Sequence, residues 1–541
     1  MAGNRGKKLR TCFLAVMFIT LGDAWIYDSR PRDAGQQEEQ HAIWCIPTDA
    51  GKTPDSVRSF VSQCKRSHLE TIVMNVKGMN GELFWKSRRF PEAIAKGWGD
   101  FDLLENLVRE AHAQGIKVHA WLVDFPEGAA GPAFKKHPEW AALSPEGKTT
   151  LSEKLGRTRP YPYLWMCPAR RSGYVDQWFV PLVQEIVANY QVDGIHHDYA
   201  RYPGDVAPDS YCFCDYCLAE LPRHALLAYE TRPEEHYQLK LAQPRVEANW
   251  WSDPTMLPAN WAEMDRAAKA DFLLNGRSID NGPIDMRHYF YDYRSSQMDR
   301  FVREVTESVR RINPKAEVSA AVFKNPIQSG RFLGQHWERW NAWIDVYMPM
   351  TYRSHFAGSF EAYLDHLEEV TRRQREWIGQ EKPLYAGIAS TYLYREEFQP
   401  IDDMRERLQE LQALGPGDQA RAIKVNEVIA AFELLKGRLT PLAPETVKEM
   451  ARLLGALKDG NPDGEGDAAQ ALLKAVVTLR GNLPAGFAPP EKLERAIEAA
   501  RKANPEGIVI FSASNLTIEK LWPVLEKSFT GPRRTVGPKA N

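Results

Sequence analysis

The sequence has no excess of charge of either sign, because 69 Lys and Arg residues stand against 71 Asp and Glu residues. No basic field therefore favours nucleic acid as a partner, and no acidic run predicts a disordered tail. The chain also lacks a glycine-rich phosphate loop, the serine turn of α/β-hydrolases and a His-Glu-x-x-His helix. These absences remove the usual sequence evidence for phosphate binding, serine hydrolysis and zinc-protease chemistry.

Long apolar runs are confined to the N-terminus. Three basic residues precede an apolar run over 12–21, and a small-x-small cleavage site follows it at 22–24. This pattern predicts a signal peptide over 1–24, since the run is short for a membrane span. The polar residues 25–40 are predicted to form a linker. No later segment resembles a membrane span, so we expect an exported protein that is periplasmic, secreted or at the cell surface.

Cysteine is scarce, with seven residues in the chain, and removal of Cys12 with the signal peptide leaves six. An even number in an exported protein is compatible with disulfides, whose pairing the sequence does not reveal. Cys212, Cys214 and Cys217 lie close together and would hold a structural zinc ion if a distant Cys or His supplied a fourth ligand. A disulfide staple is the alternative, and no other cofactor is expected.

Apolar runs alternate with helical patterns along most of the chain. They predict eight strands, over 41–47, 71–77, 117–125, 194–199, 317–323, 344–352, 383–390 and 507–514. Eight buried strands separated by helices predict an α/β fold, the (β/α)8 TIM barrel.

Two connections are too long for a simple barrel. The predicted domains are a barrel over 41–397 with an insertion at 204–289 after strand 4, then a helical insertion at 398–490 after strand 7. The last helix and strand occupy 491–530, and a tail follows at 531–541. Both insertions follow strands, so we expect them on the catalytic face of the barrel.

Several stretches of the chain resemble the bacterial glycosyl hydrolase-like 10 family. They cover 70–90, 101–125, 137–140, 165–203, 291–323, 344–352 and 507–514, and include Val-Asp-Gly-Ile-His-His-Asp at 192–198. The resemblance implies a TIM barrel similar to glycoside hydrolases, some of which are linked to cleavage of bacterial cell-wall glycans. Family members often carry two adjacent acids in this motif, whereas here Asp198 is followed by Tyr199.

Glycoside cleavage requires two carboxyl groups, one protonated and one ionised. Asp198, at the end of strand 4, is the first choice for the ionised group, and a nearby Arg201 would keep it ionised. Asp124 and Glu82 are equal choices for its partner. The structural alternatives are a hydrogen bond to a neighbouring strand for Asp124 and a loop cap for Glu82.

Other side chains at the predicted strand ends are expected to form a sugar-binding rim. They are Asn75, Lys77, His119, Trp121, His196, Arg201, Tyr352 and Ser512. The 16 Trp and 20 Tyr residues of the chain offer flat amphipathic faces that suit sugar rings. The leading hypothesis is an exported glycoside hydrolase acting on a polysaccharide. A non-catalytic carbohydrate-binding barrel and a metal-dependent hydrolase are the alternatives.

Overall fold

The computed structural model describes residues 37–155, 159–204, 206, 209–231, 257–275, 287–379, 382–414, 419–459, 462–531 and 534–536. The expected signal peptide over 1–24 lies outside these residues. So do most of the expected linker, the central part of the first insertion and most of the tail.

Eight parallel strands close into a barrel. In chain order they are β1 (Gln40–Cys45), β2 (Thr71–Lys77), β3 (Lys117–Val123), β4 (Gly194–Asp198), β5 (Glu317–Phe323), β6 (Val346–Met350), β7 (Tyr385–Ala389) and β8 (Gly507–Phe511). Each strand pairs with the next, and β8 pairs with β1. The expected (β/α)8 TIM barrel is confirmed.

A helix follows every strand. These helices are α1 (Pro54–Arg66), α2 (Leu103–Ala113), α3 (Val180–Asn189), α4 (Arg287–Ile312), α5 (Trp337–Trp340), α6 (Phe360–Ile378), α7 (Pro490–Lys502) and α8 (Trp522–Ser528). Shorter helices lie in the connections, at Pro47–Ala50, Pro132–Lys136, Pro326–Gln328, Ser390–Leu393 and Ala513–Ile518.

Helix α1 shows how local sequence sets these elements. The Thr53 hydroxyl accepts a hydrogen bond from the Ser56 N–H at 3.1 Å, and Pro54 occupies the first turn, where its missing N–H is not needed. Val57 and Val61, one turn apart, are fully buried against the barrel. The cap fixes where the helix starts, and the apolar face fixes which side packs.

Alternation along each strand separates the barrel interior from the layer beneath the helices. Trp44 and Trp121 belong to an inner cluster with side chains from β2, β5, β6, β7 and β8. Ile43 and Leu122, their sequence neighbours, belong to the larger core between barrel and helices. This phase decides which polar residues near the strand ends face the barrel mouth.

The two long connections carry helices of their own. The described part of the first contains Asp215–Thr231 and Arg266–Asn275. The second contains Arg395–Ala413, Ala420–Leu439, Pro444–Lys458 and Pro462–Gly481. Within the described residues, no helix combines the length and apolar character that a membrane crossing requires.

The second connection is tied to the C-terminal side of the barrel by residues that follow strand ends. Arg480 donates a hydrogen bond to Thr391 Oγ1 at 3.0 Å, just after β7. Lys520, which follows the helix after β8, donates to Asn482 at 3.2 Å. These contacts put the end of the helical insertion beside the C-terminal ends of β7 and β8.

Candidate active site

Asp198 ends β4 at the mouth of the barrel. The Tyr199 N–H donates a 2.7 Å hydrogen bond to its Oδ1, and Tyr199 itself adopts a left-handed backbone conformation with φ of 58°. Burial raises the pKa of Asp198 to about 7, because it outweighs the opposing effects of Arg201, Tyr199 and Trp121. Arg201 lowers the pKa of this carboxyl, the direction expected from the sequence, and burial opposes it more strongly. At neutral pH both protonation states are populated.

Arg201 lies beside Asp198 in an aromatic cage. Its guanidinium is 4.3 Å from the ring centroid of Tyr199, 4.8 Å from that of Phe323 and 5.4 Å from that of Trp165. The side chain is buried, and its Nε has no hydrogen-bond partner among the described residues. A buried cation held by ring faces supplies a positive field at the mouth.

Aromatic side chains surround the mouth. Trp44 meets Tyr352 and Phe511 edge to face, and Tyr352 stacks on Phe511 with centroids 5.6 Å apart. Tyr392, 40% exposed, continues this surface outward from Tyr352. The charge of Asp198 acts on Tyr352, so the aromatic surface and the carboxyl share one site. This arrangement suits the apolar faces of sugar rings.

His196 faces the same interior, one alternation below Asp198. Its Nε2 accepts from the Trp44 indole N–H at 3.0 Å, and its Nδ1 lies 2.9 Å from Ser319 Oγ. Burial, with His119 and His197 nearby, holds the pKa of His196 well below its usual range, so the ring is neutral. The indole contact assigns the proton to Nδ1. His196 therefore positions Trp44 from beneath the mouth.

His119 extends this network toward the opposite end of the barrel. Its Nδ1 lies 2.9 Å from Ser319 Oγ, and its Nε2 lies 3.3 Å from Glu317 Oε2. His119 and Lys117 lower the pKa of Glu317 to about 2, against the opposing effect of its burial. His119, expected at the rim, lies instead in the barrel interior.

Asp124 lies on the other side of the barrel wall. Its Oδ2 is 2.9 Å from His197 Nδ1, and both residues are fully buried. His197 in turn meets Phe301 of α4 edge to face. Burial raises the pKa of Asp124 to about 6 despite His197 and Lys77. The contact with His197 of β4 is the hydrogen bond to a neighbouring strand that the sequence analysis gave as the structural role of Asp124. It turns the Asp124 carboxyl away from the barrel mouth.

Lys77 and Asn75 are also occupied by the fold. Lys77 Nζ donates to the carbonyls of Val123 and Pro126 at 2.7 and 3.1 Å, and pairs with Glu127 at 3.2 Å, with both side chains fully buried. Asn75 Nδ2 donates to the Lys77 carbonyl at 3.0 Å. The Lys77 charge is thus fully buried and paired within the fold, and the expected contact of Asn75 and Lys77 with substrate stays a prediction.

Glu82 closes the loop that follows β2. Its Oε2 accepts from the Asn80 N–H at 2.9 Å, which is the loop-cap alternative. Unlike Asp124, Glu82 retains solvent exposure. Ser512, at the end of β8, is buried and precedes the short helix that begins at Ala513.

Two acids after β1 and β8 were not identified from sequence. Asp49 accepts from the Ser514 hydroxyl and the Ile46 N–H, and its pKa is raised by burial. Burial raises the pKa of Glu519 to about 7, against Ser390, Thr391 and Arg480. Asp49 and Glu519 each lie in a connection after a strand, where no strand alternation predicts which way the side chain points.

The distinctive cysteines form a separate cluster. Cys167 joins Cys212, Cys214 and Cys217, and the four sulfur atoms lie within 4.8 Å of one another. All six cysteines of the described residues are free and buried. Among the described residues, these four cysteines are the group of side chains that could hold a metal ion. No such group of described residues lies at the barrel mouth.

Comparison with known proteins gives a family model and distant relatives. The model described as hypothetical glycosyl hydrolase 6 matches residues 56–199, a segment that includes β2, β3 and β4. An S-layer-related protein of Niallia circulans is 23% identical over 377 residues, which cover 63% of this chain and 21% of that protein. The chain thus spans about a fifth of this curated relative.

Solved structures with similarity to the chain include two enzymes of which the match covers about half. The β-galactosidase of Marinomonas ef1 is 14% identical with a TM-score of 0.44, over 64% of this chain and 48% of that one. The α-L-fucosidase isoenzyme 2 of Paenibacillus thiaminolyticus is 16% identical with a TM-score of 0.40, over 74% and 49%. The family model supports a resemblance of residues 56–199 to glycosyl hydrolases, and it does not point to the glycosyl hydrolase-like 10 family in particular.

Proposed function

We propose that this protein is a glycoside hydrolase that cleaves a polysaccharide at the mouth of its barrel, with Asp198 as the central carboxyl. The carrying observation is the position of Asp198, a buried acid at the end of β4 beside Arg201 and an aromatic surface that includes Trp44 and Tyr352. Acids at the C-terminal ends of barrel strands are where TIM-barrel enzymes place their chemistry.

Asp198 acts as the proton donor in this proposal. A carboxyl with a pKa near 7 keeps a proton at neutral pH and can pass it to the oxygen of the leaving sugar. Since the donor must be protonated, turnover should fall as the pH rises through about 7. Glu82 is the partner that we propose, because it keeps solvent contact whereas Asp124 turns to the outer layer.

The substrate that we propose is a cell-surface or cell-wall glycan. The basic and apolar pattern of residues 1–24 supports export. The name of the Niallia circulans relative refers to the S-layer, a location compatible with such a glycan. The finer resemblance to the glycosyl hydrolase-like 10 family favours the same substrate class.

A panel of cell-wall and plant polysaccharides, analysed for released reducing ends, tests the proposal. Asp198→Asn should abolish release from any glycan that the wild type cleaves. Asp193→Asn is the matched control, because Asp193 lies before the opposite end of β4, where it accepts from the Val118 N–H at 2.8 Å. The control should lose stability and keep turnover.

A carbohydrate-binding barrel without activity is the second candidate. It is favoured by the direction of Asp124, which removes one of the two partner acids that the sequence offered. This candidate predicts that a glycan of the panel binds to the wild type and to Asp198→Asn equally, with no reducing ends released by either.

A further inference from the structure

The four clustered cysteines have the spacing of a metal site. Cys167 Sγ lies 3.7 Å from Cys214 Sγ and 3.6 Å from Cys217 Sγ. A disulfide would require about 2.05 Å. Four thiolates at about 2.3 Å around a tetrahedral zinc ion stand roughly 3.8 Å apart, which matches the observed distances. We propose that Cys167, Cys212, Cys214 and Cys217 bind one structural zinc ion.

Backbone hydrogen bonds hold the ligands in place without the metal. Cys167 N–H donates to the Trp140 carbonyl at 2.8 Å, and Phe213 N–H donates to the Leu143 carbonyl at 2.7 Å. The Leu143 N–H points at Cys212 Sγ at 3.4 Å. Cys214 directly precedes helix Asp215–Thr231 and Cys217 lies in its first turn, where the helix dipole favours negative charge. Such fixed ligands and N–H donors suit thiolates rather than thiols.

A buried arginine gives independent support. Arg294 is fully buried over the Tyr202 ring, with 4.1 Å to the centroid, and none of its three nitrogens has a hydrogen-bond partner among the described residues. Cys212 and Asp209 are among the groups whose charge acts on it. A buried guanidinium needs a counter-charge.

Zinc binding supplies that counter-charge. One Zn²⁺ ion and four thiols give a tetrathiolate complex of net charge −2 and release four protons. The charge of the complex then acts on Arg294 through Cys212, whereas four neutral thiols would leave Asp209 as the carboxylate among the groups named as acting on it. Zinc binding would therefore both ligate the four sulfur atoms and supply the Arg294 guanidinium with a negative counter-charge.

The zinc ion joins two segments that flank the proposed active site. Cys167 follows β3, and the other three ligands open the insertion after β4. Two residues before Cys167, the Trp165 indole N–H donates to the Arg201 carbonyl at 3.0 Å. The ion would therefore fix the turn from Asp198 to Arg201, a consequence that rests on the proposed function.

Metal analysis of the purified full chain tests the site without any activity measurement. After dialysis, wild type should hold one zinc per chain, and Cys214→Ser/Cys217→Ser should hold less than a tenth of that. Cys64→Ser is the matched control, since Cys64 is buried on α1, outside the cluster, and it should keep one zinc. Wild type that takes up no zinc, iron in its place, or a disulfide among the four cysteines in alkylated peptides would overturn the proposal.

Cobalt substitution of the wild type tests the site even if the cysteine variant fails to fold. Cobalt(II) in a four-thiolate tetrahedral site should give strong thiolate charge-transfer absorption, and one equivalent of zinc should remove it. Octahedral cobalt absorption, or absorption that zinc leaves unchanged, rejects the site. Failure of the glycan panel would leave both metal results untouched.

Discussion

Burial sets both the chemistry and the stability of Asp198. Its pKa of about 7 means that the folded protein prefers the neutral acid, whereas the unfolded chain ionises near its usual value of 3.8. The neutral form stabilises the fold fully below about pH 4, and this contribution is lost as the pH rises through about 7. A carboxyl held at such a cost is typical of a functional site.

Asp198→Asn should therefore stabilise the protein at pH 8. Asn keeps the acceptor for the Tyr199 N–H and cannot ionise, and each pKa unit is worth about 1.4 kcal/mol. We expect a gain of roughly 2 to 4 kcal/mol in the free energy of unfolding at pH 8 and almost none at pH 4, measured by urea denaturation. A loss of stability at pH 8 would show that the carboxylate is structural.

Lys77 belongs to the fold, so its replacement should act on stability. Lys77→Met leaves Glu127 as an uncompensated buried charge, which costs about 3 to 5 kcal/mol. The double variant Lys77→Met/Glu127→Gln removes both charges and keeps an acceptor for the Tyr174 hydroxyl, which lies 3.0 Å from Glu127. Urea denaturation should show that the double variant recovers more than half of the loss, and equal losses would contradict a coupled pair.

At the level of elements, the helical insertion has its own buried face. Val476 is fully buried in helix Pro462–Gly481, and the adjacent Val477 is 51% exposed. Both substitutions to Ala change helix propensity equally, so the difference between them isolates packing.

Val476→Ala should lower the free energy of unfolding by about 2 kcal/mol relative to Val477→Ala, because it removes buried methyl groups. Chemical denaturation followed by circular dichroism measures the difference. Equal stabilities of the two variants would mean that this helix does not pack as described.

For the whole molecule, the sequence predicted the barrel because buried strands and amphipathic helices have different periods. Alternation along a strand puts His196 and Asp198 on one face and His197 on the other, and the structure has this arrangement. The same alternation counted from Trp121 puts Asp124 on the outer face, beside His197. The part played by Cys167 could not be predicted, because nothing in local sequence brings it to a cluster that begins 45 residues later.

The leaving-group dependence of turnover tests the central claim most directly. If Asp198 protonates the leaving oxygen, Asp198→Asn should lose at least about a thousandfold in kcat/KM on the natural polysaccharide, or roughly 4 kcal/mol. It should lose far less on an aryl glycoside whose phenolate departs without a proton. Equal, large losses on both substrates would contradict the donor role and make Asp198 the nucleophile. Unchanged turnover on both would contradict any catalytic role for Asp198.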